Sequence, residues 1–221
     1  MMFTTRQCAI LLAVISLLLL HASPGRSGEA VGPLRPSATS KPKPGSAQDY
    51  YNQGVTKGLH GNYKEAAEFF RKAVAVDPRH VPAYNGWGIA LAGLGRKDEA
   101  IGIFRKAAQI SPKNAKVQYN WANTLSSMGR LEEAVVKYKR AAELQPDLAP
   151  AYSGWGTALA ELGRYDESIE KLRKAASLDP KHAGKVNAVI ENVKKLKAAK
   201  AKKKPAGAPR PGGPEKEKAA R

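Results

Sequence analysis

Few residues in this chain combine a reactive type with a spacing that chemistry could use. The four histidines, His21, His60, His80 and His182, are scattered, with none of the i, i+3 or i, i+4 intervals that turn two imidazoles toward one metal ion on a helix face. Cys8 is the only cysteine, so no disulfide can form within one chain. Three glutamates, Glu99, Glu133 and Glu167, recur 34 residues apart, and any two of them suggest an acid and base pair. Each, however, stands where a helix would begin, a place in which unpaired backbone amides favour a carboxylate without any catalytic role. Gly86 and Gly88, and again Gly154 and Gly156, imitate the start of a dinucleotide fingerprint. The third glycine is missing, no strand-like run precedes either pair, and close helix packing explains them as well. There is no G-x-S-x-G and no phosphate-binding loop. The expectation is a protein that is not an enzyme and needs no cofactor or metal.

The same interval of 34 organises the whole middle of the chain. Pro78, Pro112, Pro146 and Pro180 fall into one column, and Gly61, Gly95, Gly129 and Gly163 into another. Small residues align at Gly54, Gly88, Ala122 and Gly156, at Ala66, Ala100, Ala134 and Ser168, and at Ala73, Ala107, Ala141 and Ala175. Phe70, Phe104, Tyr138 and Leu172 supply a bulky column between them, and Trp87, Trp121 and Trp155 stand ahead. Within a unit the apolar residues keep helical spacing in two runs, as in Tyr84, Trp87 and Leu91, then Ile101, Phe104 and Ile110. Each unit therefore reads as two amphipathic helices joined at a glycine and closed by a proline. The pattern resembles the tetratricopeptide repeat. The resemblance implies an all-α, right-handed α-solenoid of four helix-turn-helix repeats at 47–80, 81–114, 115–148 and 149–182. One repeat cannot bury its apolar faces alone, whereas stacked repeats share a continuous core.

The flanks complete the organisation. Residues 1–22 pair Arg6 with a 13-residue apolar run from Cys8 to Leu20, the layout of a secretory signal peptide or, uncleaved, of an N-terminal anchor. As a helix the run would rise about 20 Å, short of a roughly 30 Å hydrocarbon core. Residues 23–46, rich in Pro, Gly and Ser, read as a flexible linker. In the first repeat Gln53 and Lys57 replace the column residues Trp87 and Leu91, as suits a wettable end of a stack. Residues 183–200 carry Val186, Val189, Ile190, Val193 and Leu196 at helical spacing and read as a capping helix, with a disordered basic tail at 201–221.

The net charge of +18 is uneven, because residues 185–221 hold 12 basic and three acidic side chains. Such a tail suits anionic lipid or an anionic envelope polymer, and equally a merely solvated extension. Export would exclude nucleic acid as a partner. The expected location is periplasmic, or at the inner membrane facing the periplasm.

For the tetratricopeptide family, the first helix of each repeat lines a concave groove that holds extended peptides or partner helices. Carried over by register, that lining is Gln48, Tyr51, Asn52 and Val55, then Asn85, Gly86 and Ile89. The third repeat gives Lys116, Tyr119, Asn120, Asn123 and Ser127, and the fourth Ser153, Thr157 and Glu161. Asparagine amides offer both donor and acceptor, so they can grip a peptide backbone or stand solvated. Tyr51, Val55 and Asn120 occupy positions where a carboxylate-clamping repeat protein carries other residues, so only Lys116 suits that role. The run from Tyr119 to Leu125 is similar to the asparagine-bearing repeats of O-linked N-acetylglucosamine transferases, whose catalytic domain has no room here. Three readings follow: an envelope adaptor with a peptide or partner helix in the groove, an anionic-surface binder using the tail, and an accessory subunit of a separate glycosyltransferase. Self-association through the repeat ends stays open beside them.

Overall fold

The computed structural model describes residues 42–203, all within a unit that spans Leu34–Arg221. The signal-peptide reading of 1–22, most of the linker and the tail after residue 203 lie outside the described residues. Among the described residues there are nine helices and no strand: α1 (Ala47–Leu59), α2 (Tyr63–Val76), α3 (Val81–Gly93), α4 (Lys97–Ile110), α5 (Ala115–Ser127), α6 (Leu131–Leu144), α7 (Ala149–Glu161), α8 (Tyr165–Leu178) and α9 (Ala183–Lys203). None is long and apolar enough to cross a membrane. Each helix packs on the next along the chain, giving an all-α solenoid of paired helices with α9 laid over α8.

The boundaries have local causes. Gly61, Gly95, Gly129 and Gly163 turn the chain at φ between 75° and 78°, a left-handed conformation in which any Cβ is strained. Asp77, Ser111, Gln145 and Asp179 leave the helical region just before the column prolines, which disfavour helical geometry in the residue ahead of them. Three first helices are capped by side chains: the Ser46 hydroxyl accepts from the Asp49 amide, His80 Nδ1 from Ala83 and Asn114 Oδ1 from Val117, whereas α7 follows Leu148 without a side-chain cap. The second helices α4, α6 and α8 begin differently. Arg96, Arg130 and Arg164 stand at the N-cap and fork onto Glu99, Glu133 and Glu167 with bonds of 2.5–2.8 Å. The recurring glutamates are thus structural clamps. Their arginine hydrogen bonds hold all three carboxyls below the ordinary carboxylate range.

Packing explains the glycine pairs. A Cβ added at Gly88 would meet the Phe104 ring at 2.6 Å, and one at Gly156 would meet Leu172 at 2.7 Å, so these positions let the two helices of a repeat close. Gly86 and Gly154 do the same between repeats, since a Cβ there would lie 2.6 Å from the rings of Phe70 and Tyr138. The position alternates Asn52, Gly86, Asn120, Gly154 along the stack. Gly86, expected in the groove lining, is instead buried under Phe70. At the far end Ile190 and Val193 of α9 cover Ile169 and Leu172 of α8, and the helix runs on to Lys203.

Candidate functional site

The first helices form the inner row of the stack. Besides contacting their chain neighbours, α1 packs on α3, α3 on α5 and α5 on α7, so side chains from successive repeats meet along one face.

The lining expected from register divides in two. Tyr51 and Val55 are 7% and 2% exposed and belong to the core, where the Tyr51 ring lies 5.9 Å from Phe70 and 5.3 Å from His80. Burial pushes the Tyr51 hydroxyl pKa up. Asn85 and Asn120 are buried as well, and Asn120 Nδ2 donates to Asn85 Oδ1 at 3.0 Å across the junction of α3 and α5. One hydrogen bond thus joins the two largely enclosed amides and takes up one donor and one acceptor between them. Thr124 donates to the Asn120 carbonyl on the same helix. Tyr119 is buried with its ring 6.1 Å from that of Tyr138, and burial raises its pKa. Of the run from Tyr119 to Leu125, only Trp121 and Asn123 keep part of their surface open.

What remains accessible is a rim. Gln48 Nε2 donates to Asn52 Oδ1 at 2.9 Å, and the Tyr138 hydroxyl donates to Asn123 Oδ1 at 2.7 Å. With their carbonyls held in this way, the Nδ2 donors are what Asn52 and Asn123 have left to offer. Half-buried Ile89 adds an apolar surface, Thr157 bonds back to the Ser153 carbonyl, and Ser127 and Lys116 are exposed. The Ser127 hydroxyl bonds the Thr124 carbonyl, while Lys97 reaches the Ser127 carbonyl from the preceding repeat. Glu161, at the end of α7, is exposed by surface but partly desolvated, which raises its carboxyl pKa. Tyr138 was absent from the residues assigned by register, although its hydroxyl orients Asn123. Its signal in the sequence is a tyrosine in the column that holds Phe70 and Phe104.

No group of three or more metal-binding side chains occurs among the described residues. The accessible groups form a strip of amide, hydroxyl and apolar side chains along the inner row. A solenoid of paired helices with such a strip is an interaction module. The tetratricopeptide-repeat profile matches residues 51–115, a second repeat profile matches 122–163, and a third matches 149–182. The chain belongs to the tetratricopeptide-repeat family, whose members serve as protein-protein interaction scaffolds and are generally non-catalytic. Among solved structures it is similar to YrrB, described as a tetratricopeptide-repeat protein with an unusual peptide-binding site. The identity is 25% and the TM-score 0.58, over 72% of this chain and 79% of that one. It shares its fold with MamA from Desulfovibrio magneticus RS-1, at 23% identity and a TM-score of 0.56 over 71% of this chain and 92% of that one. It likewise shares its fold with pilF of Pseudomonas aeruginosa, at 20% identity and a TM-score of 0.64 over 70% of each chain. Compared with curated protein sequences, the chain finds no match.

Proposed function

We propose that this protein is an adaptor of the bacterial cell envelope that holds an extended peptide or a partner helix along the inner row of helices. The observation that carries the reading is the pair of oriented amides, Asn52 and Asn123, whose Nδ2 groups are spaced along the strip to donate to ligand carbonyls. Donors fixed by a neighbour cost a ligand less ordering than free side chains would. The likeness to YrrB, itself a peptide binder by description, supports the same class of ligand. The apolar run from Cys8 to Leu20 supports export.

The test is crosslinked capture from the native cells with the full chain, beside an Asn52→Ala, Asn123→Ala double variant. Loss of a specific partner by the variant, with an unchanged helical melting curve, supports the groove. Retention of the same partner by the variant sinks it. Removing residues 204–221, which spares α9, leaves a groove-bound partner in place, whereas an anionic-surface binder that uses the tail would lose its attachment.

A further inference from the structure

The repeat pattern is broken at one column of the first helices. The column Tyr50, Tyr84, Gln118, Tyr152 is aromatic in three repeats and glutamine in the third. Tyr84 and Tyr152 stack on Trp87 and Trp155 at 6.5 and 6.4 Å, filling the space beside those helices. Gln118 cannot fill it. A cleft of about 490 Å³ opens there between α4, α5 and α6. Gln118 lines it at 7% exposure, and its Oε1 is buried without a donor. Pro112 and Ala108 form one wall.

The opposite wall is α6. Val136 stands 62% exposed in a column that otherwise carries Glu68, Gly102 and Glu170, so an apolar residue replaces polar or absent side chains beside the cleft. Lys137, Lys139 and Arg140 line the same wall against a single acidic residue, Glu143. Glu143 pairs with Arg140 at 3.2 Å and with Lys139 at 4.0 Å, which leaves a net positive rim. Lys137 lies 3.7 Å from the centre of the Trp121 ring, where desolvation and nearby Arg105 lower its pKa.

We infer that this cleft binds a short acidic peptide segment of a partner protein, with an apolar side chain against Val136 and Pro112. Its carboxylates meet Lys139 and Arg140, and a rotation of the Gln118 side chain toward the cleft brings the unpartnered Oε1 to one of its backbone N–H groups. A buried acceptor without a partner is costly, so a ligand that pairs it gains more than from an exposed contact. The combination of a buried acceptor with an apolar wall favours a peptide over a phosphate chain, which brings acceptors and no apolar group.

The experiment is fluorescence anisotropy of a fluorescein-labelled Asp-Glu-Leu-Glu-Asp peptide titrated with the full chain. The key variant is Gln118→Tyr, which restores the residue of the other three repeats and so fills the cleft without threatening the fold. Saturable binding that weakens about tenfold or more in Gln118→Tyr, and also weakens in Val136→Glu, with unchanged melting curves, is the expected result. Equal binding by Gln118→Tyr overturns the site. Absence of saturable binding by the wild type, or competition by an oligouridylate as effective as by unlabelled peptide, overturns the acidic-peptide assignment.

Discussion

The buried Asn85 and Asn120 pair shows how a single residue can change meaning between sequence and structure. On a helical wheel both amides fall on the face that should meet a ligand, but they close on each other across two repeats. Replacing Asn120 with alanine leaves Asn85 Oδ1 buried without its donor and is expected to cost about 1–3 kcal/mol, read as a shift of the urea midpoint. Gly86→Ala tests the neighbouring contact. Its Cβ would stand 2.6 Å from the Phe70 ring, and the overpacking should cost about 1–3 kcal/mol in the same measurement. Glu161 gives a residue-scale test of pH. Its pKa is raised in the folded state, so the folded chain binds that proton more tightly than the unfolded chain. Stability is therefore lost as pH rises from the unfolded pKa through the folded one, and the loss is complete above it. Glu161→Gln should raise the melting temperature at about pH 7 and lose that advantage at about pH 3, where the wild-type carboxyl is protonated in both states.

Among the elements, α9 and the arginine clamps play unequal parts. Ile190 and Val193 are 4% and 3% exposed against α8, so a chain ending at residue 182 bares Ile169 and Leu172. Hydrogen exchange should then show α7 and α8 losing protection first, while α3 and α4 keep theirs, because repeats depend chiefly on their neighbours. The clamps of Arg96, Arg130 and Arg164 lie on the surface, and solvent screens them. Their glutamate pKa values are depressed, so whatever they contribute is present above the unfolded pKa and is lost as pH falls through the folded one. Glu133→Gln should accordingly leave the midpoint within error at neutral pH, a result that would separate helix-start geometry from stabilisation.

On the scale of the whole molecule, stacking makes stability a sum of repeat and interface contributions. Among the described residues the first repeat stands at one end of the stack with Leu59 and Val76 exposed, and α1 packs only on α2 and α3. In the intact chain, protection from exchange should peak at α4, α5 and α6 and fall toward α1 and α9. Uniform protection would show instead that the stack opens as one unit.

Much of this architecture is local and hence legible without coordinates. The helical periodicity, the turn glycines and the prolines that end second helices act within a few residues, and repetition at an interval of 34 marks each of them four times. The glycine pair at 86 and 88 was readable as packing positions, but that Gly88 receives Phe104 of its own repeat and Gly86 the ring of Phe70 from the preceding one was not. The candidate site was legible as a register and not as a surface. Whether a polar residue on an inner helix faces solvent, as Asn123 does in part, or pairs with an amide 35 residues away, as Asn120 does with Asn85, is decided by how far successive repeats rotate as they stack. Likewise the substitution of Gln118 for tyrosine can be seen in the sequence, but only the tertiary structure reveals the cleft that Gln118 lines together with residues of α4 and α6. The sequence determined the repeat and its stacking, because those rest on short-range backbone preference and apolar spacing. The tertiary structure decided which polar groups are used up inside the stack and which are left for a partner, because that depends on contacts between residues a whole repeat apart.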